Sequence, residues 1–141
     1  MTKYVLGFAF DSIGNGVVLI QKGHPEWQKG KLNGVGGKIN PPLEGRRAAM
    51  AREFEEETTV ATSPNDWTLF AVMEGTGWKC HCFYLFDTQV FAEAKTATDE
   101  PIIKVSSRDS IPNAISNLSW LVPMAKNHRD QKDFVSQVYY K

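Results

Sequence analysis

Two apolar runs lie near the start of the chain, Tyr4 to Phe10 and Gly16 to Gln21, both rich in aromatic and β-branched residues, with an Asn15-Gly16 step between them. Runs of this kind parted by Asn-Gly predict a β-hairpin. Lys22 to Lys31 mixes Gly, Pro and charge, and Leu32-Asn33-Gly34-Val35-Gly36-Gly37-Lys38 is too glycine-rich for a regular element. The expectation there is two loops around a short strand. From Leu43 to about Thr58 proline is absent, and Arg46, Arg47, Met50, Ala51, Phe54 and Thr58 recur at three and four, which predicts a helix. Trp67 to Met73 and Trp78 to Asp87 read as strands around a Gly75-Thr76-Gly77 turn, and Ile102 to Val105 as another short strand. Trp120 to about His128 is a second helix, while Phe134 to Tyr140 alternates loosely and suits strand or helix. This mixed order implies an α/β or α+β fold, a sheet covered by helices.

Composition narrows the class. A chain of 141 residues, 42% of them hydrophobic, describes one domain spanning 1–141 that can bury an apolar core without disulfides or structural metal. With 16 basic against 16 acidic residues the net charge is zero, which disfavours a module held to nucleic acid by a basic face. No apolar run approaches the roughly 18 residues of a membrane span. The opening Met1-Thr2-Lys3-Tyr4 leads into Val5–Phe10 without a small-residue cleavage site, so a cytoplasmic protein with no membrane partner is expected. Cys80 and Cys82 flank His81 on one strand face; further zinc ligands at suitable spacing are not evident, and reduced, partly buried thiols are expected.

The candidate chemistry lies between residues 34 and 60. At about 100° per residue, Glu53, Glu56 and Glu57 share one helix sector beside the apolar sector of Met50, Ala51 and Phe54. Three carboxylates together repel unless cations sit among them, and Mg²⁺ prefers oxygen ligands while keeping exchangeable waters. Glu44, near the helix start, suits the helix dipole or a water-mediated place in the metal sphere, and Arg52 stands four residues before Glu56, where its planar fork can hold a carboxylate. A Glu-rich stripe alone is most often a solvated face. The Gly-Gly-Lys segment just ahead alters that balance, because glycine lets backbone approach a metal or phosphate closely.

Gly37, six residues, Glu44, seven residues, then Arg52-Glu53-Phe54-x-Glu56-Glu57-x-Thr59-Val60 resembles the Nudix box, and Lys29–Lys38 and Thr98-Asp99-Glu100 are similar to segments of MutT-like nucleotide hydrolases. The resemblance implies the Nudix fold, a mixed sheet between helices, and hydrolysis of a nucleoside diphosphate linked to another group, with Mg²⁺ as cofactor and Mn²⁺ as substitute. It places Glu53, Glu56 and Glu57 at metal-binding and base-providing positions, Gly37 as a carbonyl ligand, Arg52 as the orienting arginine, and Glu100, beside Asp99, as an additional acid. Lys22, Asn33, Lys38 and Trp120 are the substrate-binding candidates it implies; Phe70 is an alternative stacking residue. Each has a plainer role as well, Lys22 ending a strand, Asn33 serving a turn, an aromatic filling the core.

Two departures stand out. The family has five residues before the first glutamate and this chain has six, so a bulge at Asn40-Pro41-Pro42 is expected. Thr59 replaces the usual glycine, so the helix exit is expected to fray or reshape. The purine-reading acids are replaced in Ser116-Asn117-Leu118-Ser119-Trp120, which suggests broad base preference. The expected partner is a small-molecule nucleotide, a (d)NTP, nucleotide sugar or ADP-ribose, acted on by a monomer or homodimer. The alternatives are an RNA 5′-end pyrophosphohydrolase and a non-catalytic nucleotide-sensing module.

Overall fold

The computed structural model describes residues 1–41 and 43–141. Among them the strands are β1 (Thr2–Phe10), β2 (Gly16–Gln21), β3 (Leu32–Asn33), β4 (Val35–Lys38), β5 (Thr68–Gly75), β6 (Trp78–Phe86), β7 (Ile102–Ser106) and β8 (Ser136–Tyr139), with helices α1 (Arg46–Thr58), α2 (Thr88–Glu93) and α3 (Leu118–Asp130). One mixed sheet runs in the order β3-β2-β1-β6-β5-β8, with β4 also on β1 and β7 also on β2. β1 pairs with β6, and β5 with β8, in parallel.

Alternation along β1 decides what covers the sheet. Leu6, Phe8 and Phe10 join Leu118, Leu121, Val122 and Ala125 of α3 in one core cluster. Val5 and Ala9 point to the other face, against Ala49, Met50, Ala51 and Phe54 of α1, with Val90 and Phe91 of α2 at the edge of that cluster. The sheet is therefore a layer between helices, as expected.

Several local expectations are corrected. The glycine-rich segment is not a loop: Val35–Lys38 is a strand antiparallel to β1, with Gly36 opposite Leu6 and Gly37 opposite Val5. Its glycines are demanded by contact, since a Cβ on Gly36 would run into the Val5 carbonyl. Within Phe134–Tyr140 the strand is Ser136–Tyr139, which forms the sheet edge beside β5. The first helix starts at Arg46 rather than near Leu43, because Gly45 is extended (φ −74°, ψ 158°). Thr59 does not fray the exit; it takes the left-handed conformation itself (φ 69°) and its N–H donates to Glu55 O at 2.9 Å. Pro42, and with it the full Asn40-Pro41-Pro42 bulge, lies outside the described residues. Both cysteines are free and buried on the α3 face. No helix among the described residues is long and apolar enough to cross a membrane.

Candidate active site

Arg52 organises one wall of the site. Its Nε donates to Glu44 Oε2 at 2.6 Å and its Nη2 to Glu44 Oε1 at 2.9 Å, while Nη2 also donates to the Lys38 carbonyl at 3.0 Å. The remaining Nη1 donates to Glu53 Oε1 at 3.0 Å and to both Glu56 oxygens at 3.2 Å. This planar fork ties α1, the end of β4 and the Glu44 loop together through charge-assisted bonds. Glu44 lies before the helix, receives the Asn40 N–H at 2.8 Å, and Arg52 holds its carboxyl below the usual range.

Glu53 is buried behind this fork, and burial pushes its carboxyl up in spite of Arg52. It fits because Gly37 has no side chain: a Cβ there would lie 2.5 Å from the Glu53 carboxylate. One turn further, Glu57 is raised by burial and then by the neighbouring charge of Glu100, while Thr98 Oγ1 donates to its Oε2 at 3.3 Å.

Glu100 is buried, which its place in an acidic loop does not foretell. The antiparallel pairing of Ile20 with Ile102 draws the end of β2 alongside the start of β7, and Gln21 N donates to Pro101 O at 2.8 Å. That register sets the Gly23 N–H 2.6 Å from Glu100 Oε2, Lys22 Nζ 3.7 Å from Oε1 and His24 Nε2 3.9 Å from Oε2. Asp99 stays exposed.

A cleft of about 870 Å³ collects these groups. Lys22, Gly37, Lys38, Glu53, Glu57 and Glu100 line it, and so does Asn33, whose amide is already engaged: Nδ2 donates to Gln28 Oε1 at 2.9 Å and Oδ1 accepts from Gly34 N at 2.8 Å. Glu56 is not among the lining residues and is exposed, drawn outward onto Arg52. Trp120 also lies outside the cleft, packed against the core of the α3 face, and Phe70 is fully buried there beside Phe8 and Tyr84. Among the described residues, no three acidic, histidine or cysteine side chains form a ready-made metal cluster. Sequence reasoning missed the apolar part of the cleft, to which Trp78, Cys80 and Met73 contribute from the sheet and Tyr140 from beyond β8. Alternation from Cys82 back through Cys80 to Trp78 was the available signal; for Tyr140 there was none, since its neighbours come from β5.

No family model matches the chain, and no curated protein matches it either. Solved structures do. A MutT structure from work on Aliivibrio salmonicida and Vibrio cholerae is 18% identical, with a TM-score of 0.70 over 89% of this chain and 98% of that one. The MutT NUDIX hydrolase of Burkholderia pseudomallei is 19% identical, with a TM-score of 0.67 over 86% and 97% respectively. The MutT protein of Bacillus halodurans is 16% identical, with a TM-score of 0.70 over 100% and 91%. The chain has the fold of the MutT/Nudix hydrolases.

Proposed function

We propose that the chain is a divalent-metal-dependent hydrolase that cleaves the diphosphate of a small nucleotide substrate, a (d)NTP, a nucleotide sugar or ADP-ribose, by attack of water on phosphorus. The observation that carries this reading is the polar end of the cleft, where Glu53, Glu57 and Glu100 stand with Lys22 and Lys38. Phosphoryl transfer asks mainly for positioned charge of both signs, and that is what this end supplies.

The cradle at Gly37 fits a metal. It seats a buried carboxylate against backbone, and carboxylate and carbonyl oxygens are the preferred ligands of Mg²⁺ and Mn²⁺. Glu53, Glu57 and the Gly37 carbonyl would hold the ion, and Glu56, bound to Arg52 at 3.2 Å, would join them only by exchanging that partner for the metal. When bound, it would offset phosphate charge and make water more acidic. Lys22 and Lys38 attract and orient the phosphates. Arg52 keeps Glu53 aimed, acting through hydrogen bonds rather than on substrate. Glu57 and Glu100 are the carboxylates available to take the proton from the attacking water, and burial has already raised the proton affinity of Glu57.

A panel of nucleoside triphosphates, nucleotide sugars and ADP-ribose, read as phosphate against pyrophosphate release with Mg²⁺ or with EDTA, tests the proposal. Turnover is expected only with metal, and Glu57→Gln lowers kcat by about a hundredfold or more with an unchanged circular dichroism spectrum. Full turnover in excess EDTA, or a Glu57→Gln rate near wild type, would refute it. Binding without turnover of any substrate would favour the sensing module instead.

A further inference from the structure

Outside the cleft, the α1 face of the sheet gathers positive charge around one buried imidazole. Alternation puts Lys3 and Val5 of β1 on that face, and the parallel register sets Lys79 opposite Lys3 and His81 opposite Val5. The first turns of α1 cover this corner, since Val5 shares a core cluster with Ala49 and Met50, and Arg47 Nε donates to Trp67 O at 2.9 Å. One acid faces the group from the neighbouring strand: Glu74 of β5 is in register with Lys79, its Oε1 4.0 Å from Lys79 Nζ. Among the described residues, Lys3 and Arg46 form no ion pair.

The start of α1 adds to the imbalance. A helix begins at the positive end of its dipole, where acids stabilise and cations do not. Here the first turn holds no acid and opens with Arg46 and Arg47, and the capping position is Gly45, which makes no side-chain cap. His81 lies beneath. It is only 5% exposed, and its Nδ1 is shielded from solvent with no hydrogen-bond partner among the described residues. The charges that act on the ring are those of Arg46, Lys79 and Lys3, in that order. A buried polar atom left unpaired costs roughly 1–3 kcal/mol, and repulsion among the cations adds to that cost. A metal ion at the ring would worsen the repulsion, whereas an anion relieves both, accepting the Nδ1–H and offsetting the surrounding charge.

We propose that His81, Arg46, Lys3 and Lys79 form a binding site for a phosphate-class oxyanion at the amino end of α1. None of the four lines the cleft, so this site is separate from the carboxylates and does not depend on the hydrolase reading. The donors come from three elements, β1, β6 and α1, and a tetrahedral anion has oxygens enough to meet them from different sides, which the two oxygens of a carboxylate do not. Lys3 and Arg46 are exposed and flexible, so an arriving anion can draw them around itself.

Nitrogen NMR of the imidazoles at neutral pH, with phosphate replacing chloride at constant ionic strength in EDTA, tests this on the full chain. His81, assigned by the loss of its signals in His81→Gln, should respond saturably in the low-millimolar range and settle on the form protonated at Nδ1. Arg46→Gln should weaken the response about tenfold, as loss of a charge-assisted bond does, and Glu74→Gln should tighten it. His24, beside Glu100 in the cleft, reports any phosphate bound there, and its response should be the same in Arg46→Gln as in wild type. Phenyl phosphate distinguishes the sources: a response to both compounds assigns the site to phosphate esters as well, a response to phosphate alone assigns it to the free ion, and either supports the proposal. If the His81 signals stay fixed through tens of millimolar phosphate, or if Arg46→Gln and Lys3→Gln both bind within twofold of wild type, the site is wrong.

Discussion

Replacing Gly37 by alanine adds one methyl group at the most crowded point of the site. Gly37 is not among the glycines with a left-handed φ, so its backbone accepts alanine and the effect comes through the Cβ alone. That atom would lie 2.5 Å from the Cδ and Oε1 of Glu53. Ordinary contact is about 3.5 Å, so the carboxylate must retreat by about 1 Å. It cannot retreat freely, since Arg52 Nη1 holds it at 3.0 Å and α1 is packed through Met50 and Phe54. A displacement of that size in a positioning group costs about a hundredfold in rate, or ~2.7 kcal/mol of transition-state stabilisation. The assay is kcat on the best substrate from the panel, with thermal melts at increasing Mg²⁺ to follow metal binding. Gly37→Ala is expected to keep a cooperative melt, lose the Mg²⁺-dependent rise in melting temperature and lower kcat by about two orders of magnitude. A kcat within threefold of wild type with an unchanged Mg²⁺ effect would show that the Glu53 seat plays no part in catalysis.

Thr59 carries a β-branched side chain in left-handed backbone (φ 69°), so Thr59→Gly should relieve strain and, after the greater unfolded-state freedom of glycine, stabilise by about 1 kcal/mol, roughly 3 °C in melting temperature. A lower melting temperature would mean that the threonine side chain contributes more than its backbone costs. His81 is pushed down to about 4, first by burial and then by the charges of Arg46, Lys79 and Lys3, and its Nδ1 has no hydrogen-bond partner among the described residues. Because its folded pKa lies below the ordinary 6.5, the unfolded chain binds the extra proton, and stability present above that value is lost as pH falls toward 4. Denaturant unfolding at neutral and mildly acidic pH should show wild type losing about 2 kcal/mol more than His81→Gln, and equal losses would show that protonation there is tolerated.

Periodicity made much of this molecule legible. The β1–β2 hairpin, α1, and the shared sector of Glu53, Glu56 and Glu57 follow from spacing two, three and four residues apart, and such spacing is read within one element. The same local logic failed at Val35–Lys38, where glycine density signals a loop but the chain forms a strand, because backbone hydrogen bonds to β1 need no side chain. It also could not separate the three glutamates. One helical sector holds them all, yet Glu53 faces the Gly37 seat, Glu56 is drawn out by Arg52 and Glu57 turns toward Thr98.

By itself, then, the sequence determined the β1–β2 hairpin, α1 and its charged face, since each depends on neighbours within a few residues. Tertiary structure alone decided which residues meet across the cleft. Glu100 reached Lys22 and Gly23 through the β2–β7 register, and Tyr140 reached Trp78 through the parallel edge strand β8. Trp120 and Phe70 packed with the core instead. Pairing between distant strands is set by how the whole sheet buries its two faces, and no local pattern in the chain encodes that choice.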